Sequence, residues 1–173
     1  RMQPGSISEL ARSDAPALRV QFLDPPPPPT QRYWRGLTLS HFDGRAWQQA
    51  IPRGMDEAGY LYSGRGPAPD WVDALTAGRS DGTSYAYQVI VEPTQRRWLF
   101  AMPVPFVSEG GVSLARDMRL VANNPVSQRQ SYQVVSVPAA TRRLPLAAEE
   151  KALMLSIPDE SGRRARGLAQ QWR

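Results

Sequence analysis

The stretch "SYAYQVIVEP" puts Tyr85, Tyr87, Val89 and Val91 on one side of an extended chain, with Ala86 and Ile90 on the other. Side chains alternate across a strand with a period of two, so one face is strongly apolar and the other partly so. "SQRQSYQVVSVP" repeats the pattern, setting Tyr132, Val134 and Ser136 against Gln133, Val135 and Val137. No helical segment separates the strands between Tyr85 and Val137. Parallel pairs need a crossover of a dozen or more residues, whereas antiparallel pairs need only a turn. The expected fold is therefore mainly β: an antiparallel β-sandwich or curled sheet of six to eight strands, with short helices and a C-terminal helical segment.

Other segments fit the same architecture. Leu18, Val20 and Phe22 alternate with Arg19 and Gln21, a strand with one wet face. Five consecutive prolines then follow Asp24. Each lacks an amide hydrogen and fixes φ, which excludes a helix interior or a central strand. The run reads as a stiff connector, with a proline-rich recognition ligand as the alternative. Tyr33 to Ser40 is the next expected strand, with Tyr33, Arg35, Leu37 and Leu39 sharing a face. Arg35 conflicts with its apolar companions, so it either snorkels at the sheet rim or meets a buried carboxylate. Asp43-Gly44 is a turn signal, since Asp bonds its own backbone and Gly accepts positive φ. Trp47 follows as an anchor returning to the sheet; a carbohydrate-stacking platform would use the same aromatics.

Residues 52–84 read as an irregular, surface-rich loop holding one helix at Asp70 to Thr76, with Trp71, Ala74 and Leu75 inward. Its length makes it the candidate for contact with an outside partner. A hairpin is expected between Tyr85–Val91 and Trp98–Met102 through Glu92-Pro93-Thr94, with Glu92 paired to a neighbouring arginine. "GGVSLARDMRLVANN" supplies another strand pair around Arg116-Asp117. After Pro138 the pattern turns helical. "LAAEEKALMLSIP" ends at Pro158, and a second helix starts from Asp159 or Ser161 with Ala165, Leu168, Ala169 and Trp172 as its buried stripe. That helix ends on a packing residue without a glycine or cap, as a cut-off element would. Two domains are expected: a β-rich unit over 1–138, and linker helices over 139–173 entering a truncated second unit.

Composition limits the chemistry. There is no cysteine and one histidine, which removes a thiol nucleophile, thiolate metal ligation and a disulfide framework. His41 lies beside Phe42 without a visible nucleophile or orienting group, and reads as structural. Neither a phosphate-cradling loop nor a serine-nucleophile elbow is present. The adjacent Glu149 and Glu150 diverge on a helix, and Glu92 and Asp43 sit at turns, so no paired-carboxylate site is apparent. The formal charge of +5 comes from scattered arginines interleaved with acids. Such a distribution argues against nucleic acid and suits solubility or an anionic membrane surface. No apolar run is long enough to span a membrane.

The ordered set "PGSISELARSDAPALRVQF", "PPPPPTQRYWRGLTLSHFDGRAW", "YQVIVEPTQRRWLFAMPVP" and "LSIPDESGRRARGLAQQWR" resembles the extracytoplasmic region of bacterial transglutaminase-like membrane proteins, the TgpA family. The densest parts are Tyr33-Trp34-Arg35-Gly36 with Asp43-Gly44 and Trp47, then Glu92-Pro93 with Trp98. The resemblance implies a membrane-anchored parent with a periplasmic β-rich segment ahead of a transglutaminase-like domain of papain type. The Cys-His-Asp triad of that domain has no counterpart in these residues. It further implies a non-catalytic periplasmic accessory domain of an inner-membrane protein, whose partner is the transglutaminase-like domain of the same parent chain. The alternative is a module binding a periplasmic protein, peptide or cell-wall glycan. No catalytic, cofactor-binding or metal-ligating residue is expected. The residues expected to carry structure are Tyr33, Trp34, Arg35, Asp43, Gly44, Trp47, Glu92, Trp98 and Trp172.

Overall fold

The computed structural model describes residues 16–76, 83–107, 110–137, 146–158 and 162–172. Among these, the chain divides into two compact units that do not follow chain order. One unit takes residues 16–38 and 55–137; the other takes the 39–54 segment together with 146–158 and 162–172. The boundary expected at Pro138 falls in 138–145, outside the described residues.

The first unit is a two-sheet sandwich, and every strand pair in it is antiparallel. One sheet orders β1 (Leu18–Phe22), β5 (Tyr85–Val91), β10 (Gln130–Ser136) and β7 (Pro105–Phe106) as β1-β5-β10-β7. The other orders β4 (Leu61–Tyr62), β8 (Val112–Ala115), β9 (Leu120–Ala122) and β6 (Trp98–Leu99) as β4-β8-β9-β6. Tyr87, Val89, Val91, Tyr132 and Val134 of the first sheet share one core with Leu99, Val112, Leu114, Leu120 and Ala122 of the second. The period-two faces read from the sequence in β5 and β10 are the faces that are buried. Two sheets packed face to face, rather than one curled sheet, make this core.

The expected hairpin between β5 and Trp98–Met102 does not form. β1 and β10 already occupy both edges of β5, so it has no free ladder to offer. The chain instead crosses to the second sheet, where β6 pairs with β9. The crossing is fixed by the backbone N–H groups of Thr94 and Gln95, which both donate to the Val126 carbonyl. Tyr33 to Ser40 is also not a regular strand. It contributes a single antiparallel bridge, Arg35 to Ala101. By contrast, β8 and β9 pair around Arg116-Asp117 as expected, with Met118 at φ 62 closing the turn.

The segment expected to be a loose loop is largely built into the sandwich. It holds α1 (Glu57–Tyr60), β4 and α2 (Asp70–Thr76). Asp56 caps α1 by accepting from the Gly59 N–H at 2.8 Å. Tyr60, Trp71, Val72 and Leu75 are buried; Val72, not Ala74, completes the inward face of α2. The proline run is likewise tied down. Arg32 Nε donates to the Pro27 carbonyl at 2.7 Å, its guanidinium lies 5.9 Å from the Phe22 ring centroid, and Pro27 is buried.

The second unit contains a short hairpin, β2 (His41–Phe42) with β3 (Trp47–Gln48), and two helices, α3 (Ala148–Leu155) and α4 (Arg163–Gln171). Glu150, buried, accepts from the Ala147 N–H at 2.9 Å and so caps α3. Gly162, at φ 65, precedes α4. The capping residues expected there, Asp159 and Ser161, lie outside the described residues. The α4 stripe expected to be buried is exposed, with Leu168 at 46% and Trp172 at 79%.

Candidate functional site

The most constrained chemistry lies where the two sheets of the sandwich meet beyond the end of β6. The Ala101 N–H and C=O pair with Arg35, so those groups point to one side. The backbone groups of Phe100 and Met102, alternating with them, point to the other. Among the described residues no strand pairs with them there. Side-chain hydroxyls from the facing sheet take its place.

Tyr132 Oη accepts from the Phe100 N–H at 2.9 Å and donates to the Phe100 carbonyl at 2.8 Å. Tyr87 Oη accepts from the Met102 N–H at 2.9 Å. Ser136 Oγ donates to the Met102 carbonyl at 3.1 Å and lies 2.8 Å from Tyr87 Oη. With the serine proton committed to that carbonyl, the Tyr87 proton goes to Ser136 Oγ. Three hydroxyls thus satisfy four backbone groups of a segment that would otherwise be an orphaned buried edge.

Burial pushes the Tyr87 hydroxyl up to about 12, against the lowering effect of its bonds with Ser136 and Met102. Burial raises Tyr132 in the same direction. Neither hydroxyl is poised to titrate near neutrality, which suits a structural donor rather than a general base.

Around this seam sit several of the residues expected from the sequence. Trp34 meets Tyr87 edge-on at 5.4 Å between ring centroids, and Trp98 meets Phe100 edge-on at 5.1 Å. Gly36 leaves room for the Phe100 ring: a Cβ there would lie 2.9 Å from Cε1. Arg35 meets a carbonyl rather than a carboxylate, its Nη1 donating to Asp117 O at 3.0 Å while its buried Nε has no hydrogen-bond partner. Asp117 itself pairs with Arg119 at 2.6 Å in a largely buried ion pair. Tyr33 is exposed.

Glu92 sits at the end of β5 and accepts from Arg19 at 2.6 Å and Arg129 at 3.1 Å. Those arginines come from the regions of β1 and β10, the two strands flanking β5, and not from the adjacent Arg96 and Arg97. The Arg129 and Arg19 hydrogen bonds hold its carboxyl below the usual carboxylate range. In the second unit, Asp43 Oδ1 accepts from the Arg45 and Ala46 N–H groups at 2.9 and 2.7 Å, and Gly44 adopts φ 98. Trp47 packs on Phe42 at 5.2 Å yet remains 46% exposed. Trp172, following α4, is apart from the sandwich residues in sequence and unit.

Among the described residues, these side chains do not assemble a nucleophile, a base and an orienting group. His41 Nδ1 is buried without a hydrogen-bond partner, so no carboxylate orients the ring through that nitrogen. Among the described residues no cluster of His, Asp or Glu could hold a metal ion. No described helix is long and apolar enough to cross a membrane. What sequence reasoning missed is the hydroxyl seam. Its signal was a polar tip on each buried face: Tyr87, Tyr132 and Ser136 all lie on the inward side of their strands.

Comparison with known proteins places this architecture. The family model described as the TgpA N-terminal domain matches residues 1–143. The chain belongs to the TgpA family. It is 36% identical over 172 residues to a protein-glutamine gamma-glutamyltransferase of Pseudomonas aeruginosa, covering 99% of this chain and 23% of that protein. It also superposes on the crystal structure of the periplasmic domain of TgpA from Pseudomonas aeruginosa with a TM-score of 0.75 and 35% identity. That match covers 98% of this chain and 53% of the crystallised one. A second crystal structure of the same domain, bound to ethylmercury, matches equally well. The chain therefore spans about a quarter of that gamma-glutamyltransferase and about half of the crystallised domain. It is a β-rich periplasmic region of that family, and its sequence carries no cysteine.

Proposed function

We propose that this chain is the supporting part of a membrane-anchored, periplasmic transglutaminase-like protein and holds the catalytic body in position without joining in its chemistry. The carrying observation is that nearly the whole chain aligns with a gamma-glutamyltransferase while containing no thiol. In a transglutaminase of papain type, a thiolate attacks a glutamine carboxamide, ammonia leaves, and the acyl group passes to an amine or to water. The group that does this lies in the parent beyond the aligned quarter. In this reading residues 1–138 form the accessory domain, and 139–173 are linker helices leading into the transglutaminase-like domain.

The sandwich suits such a role. Its inner seam is locked by buried hydroxyls, and a scaffold whose rotamers are fixed keeps a neighbouring site in place. The binding-module alternative rests on the exposed rings of Tyr33 and Trp47. It is weakened by Trp71, Val72 and Leu75 of the 52–84 segment, which join the core instead of facing outward.

Trp172→Ala in the complete periplasmic domain tests the positioning role. The expected result is lower amine incorporation there, with the melting of the 173-residue chain unchanged, because Trp172 packs on little within it. Unchanged transfer activity in the complete domain would overturn the reading.

A further inference from the structure

The 39–54 segment is encoded between two parts of the sandwich, yet it belongs to the unit formed with α3 and α4. The chain therefore leaves the sandwich after Thr38, builds the hairpin, and re-enters at Met55. Excursions of this kind are costly in ordering entropy unless the excised element packs on something.

Within its own unit the element packs on little. Among the described residues, Ala46 and Pro52 are the buried apolar side chains of that unit, whereas the sandwich holds the others. Conversely, Trp47, Ile51, Leu155, Ile157, Leu168 and Trp172 are all exposed large apolar residues of the same unit. A unit with apolar faces and almost no interior is part of a core whose other part is elsewhere.

We infer that the β2–β3 hairpin, through Trp47 and Ile51, forms one wall of the seat that receives the complementary half of the periplasmic domain, alongside α3 and α4. This rests on the supporting role proposed above and adds a docking element drawn from the middle of the sandwich sequence. The occupant is the part of the same polypeptide corresponding to the half of the crystallised relative that this chain does not span. The chemistry fits an intrachain partner: Phe42 and Trp47 present a tilted ring pair, and Asp43 fixes the turn by three hydrogen bonds that leave the rings preorganised. The unit of the hairpin, α3 and α4 thereby meets the second body from two separate points of the sequence.

Hydrogen exchange and hydroxyl-radical footprinting, run on the 173-residue chain and on the complete periplasmic domain, test this. The expected result is slower exchange by about tenfold or more at 40–48 in the complete domain, with matching protection of the Trp47 ring. Trp47→Ala and Ile51→Ala should lower the melting temperature of the complete domain by more than that of the 173-residue chain, in which Trp47 keeps its contact with Phe42. Protection of α4 with none at the hairpin would overturn this inference and leave the supporting role standing. Protection of neither would overturn both.

Discussion

Replacing Tyr132 with phenylalanine removes one oxygen and strands two backbone groups. The Phe100 N–H and C=O have no strand opposite them; both bond to Tyr132 Oη, at 2.9 and 2.8 Å. Leaving a buried donor or acceptor unpaired costs about 1–3 kcal/mol each. Two such groups lose their partner, and the variant recovers the cost of burying the hydroxyl itself. The net loss is therefore about 3 kcal/mol. For a chain of this size that lowers the melting temperature by roughly 6–12 °C. Urea unfolding of the 173-residue chain, followed by tryptophan fluorescence, reads it as a lower midpoint at unchanged slope. Ring packing is kept, so a loss this large comes from hydrogen bonding and not from a cavity. A Tyr132→Phe unfolding free energy within about 0.5 kcal/mol of the unsubstituted chain would refute the idea that the seam depends on its hydroxyls.

Further outcomes follow from the same structure. Because Tyr87 is raised to about 12 in the folded state while the unfolded chain titrates near its ordinary value of 10.0, the folded form binds more protons in alkali. The stabilisation is complete below about pH 10 and falls by about 1.4 kcal/mol per pH unit up to about pH 12, so Tyr87→Phe should flatten the alkaline limb of a stability-versus-pH curve. Gly36→Ala, which sets a Cβ 2.9 Å from the Phe100 ring, should cost about 1–3 kcal/mol in urea unfolding as that ring is displaced from Trp98. Glu92→Gln should be modestly destabilising at neutral pH and low salt. Its carboxyl is held low by Arg129 and Arg19, so the contribution is lost as pH falls through its folded value, and the two proteins should converge in acid and in high salt.

Much of the sandwich was legible in the sequence because its long strands are governed by local alternation. β5 and β10 each run seven residues, enough for a period of two to declare itself. The short strands were not legible in the same way. β6 and β7 have two residues each, and their partners are chosen by which ladder edges remain free. The supposed hairpin after β5 failed on that ground, since nothing local in Glu92-Pro93-Thr94 reports that β1 has taken the edge. Tyr33 to Ser40 has the alternation of a strand, but its neighbour at Ala101 offers a single bridge. The Asp43-Gly44 turn is local and was readable; its membership of the second unit is not local and was not. The seam combines both cases. Tyrosines and a serine on inward faces are visible in the sequence, whereas the backbone groups that need them become apparent only once the sheets are stacked.

Amine incorporation into a glutamine donor, measured side by side for the 173-residue chain and the complete periplasmic domain, bears most directly on the supporting role. The account predicts turnover by the complete domain that is abolished by thiol alkylation, and none by the chain alone. Turnover by the cysteine-free chain would contradict it.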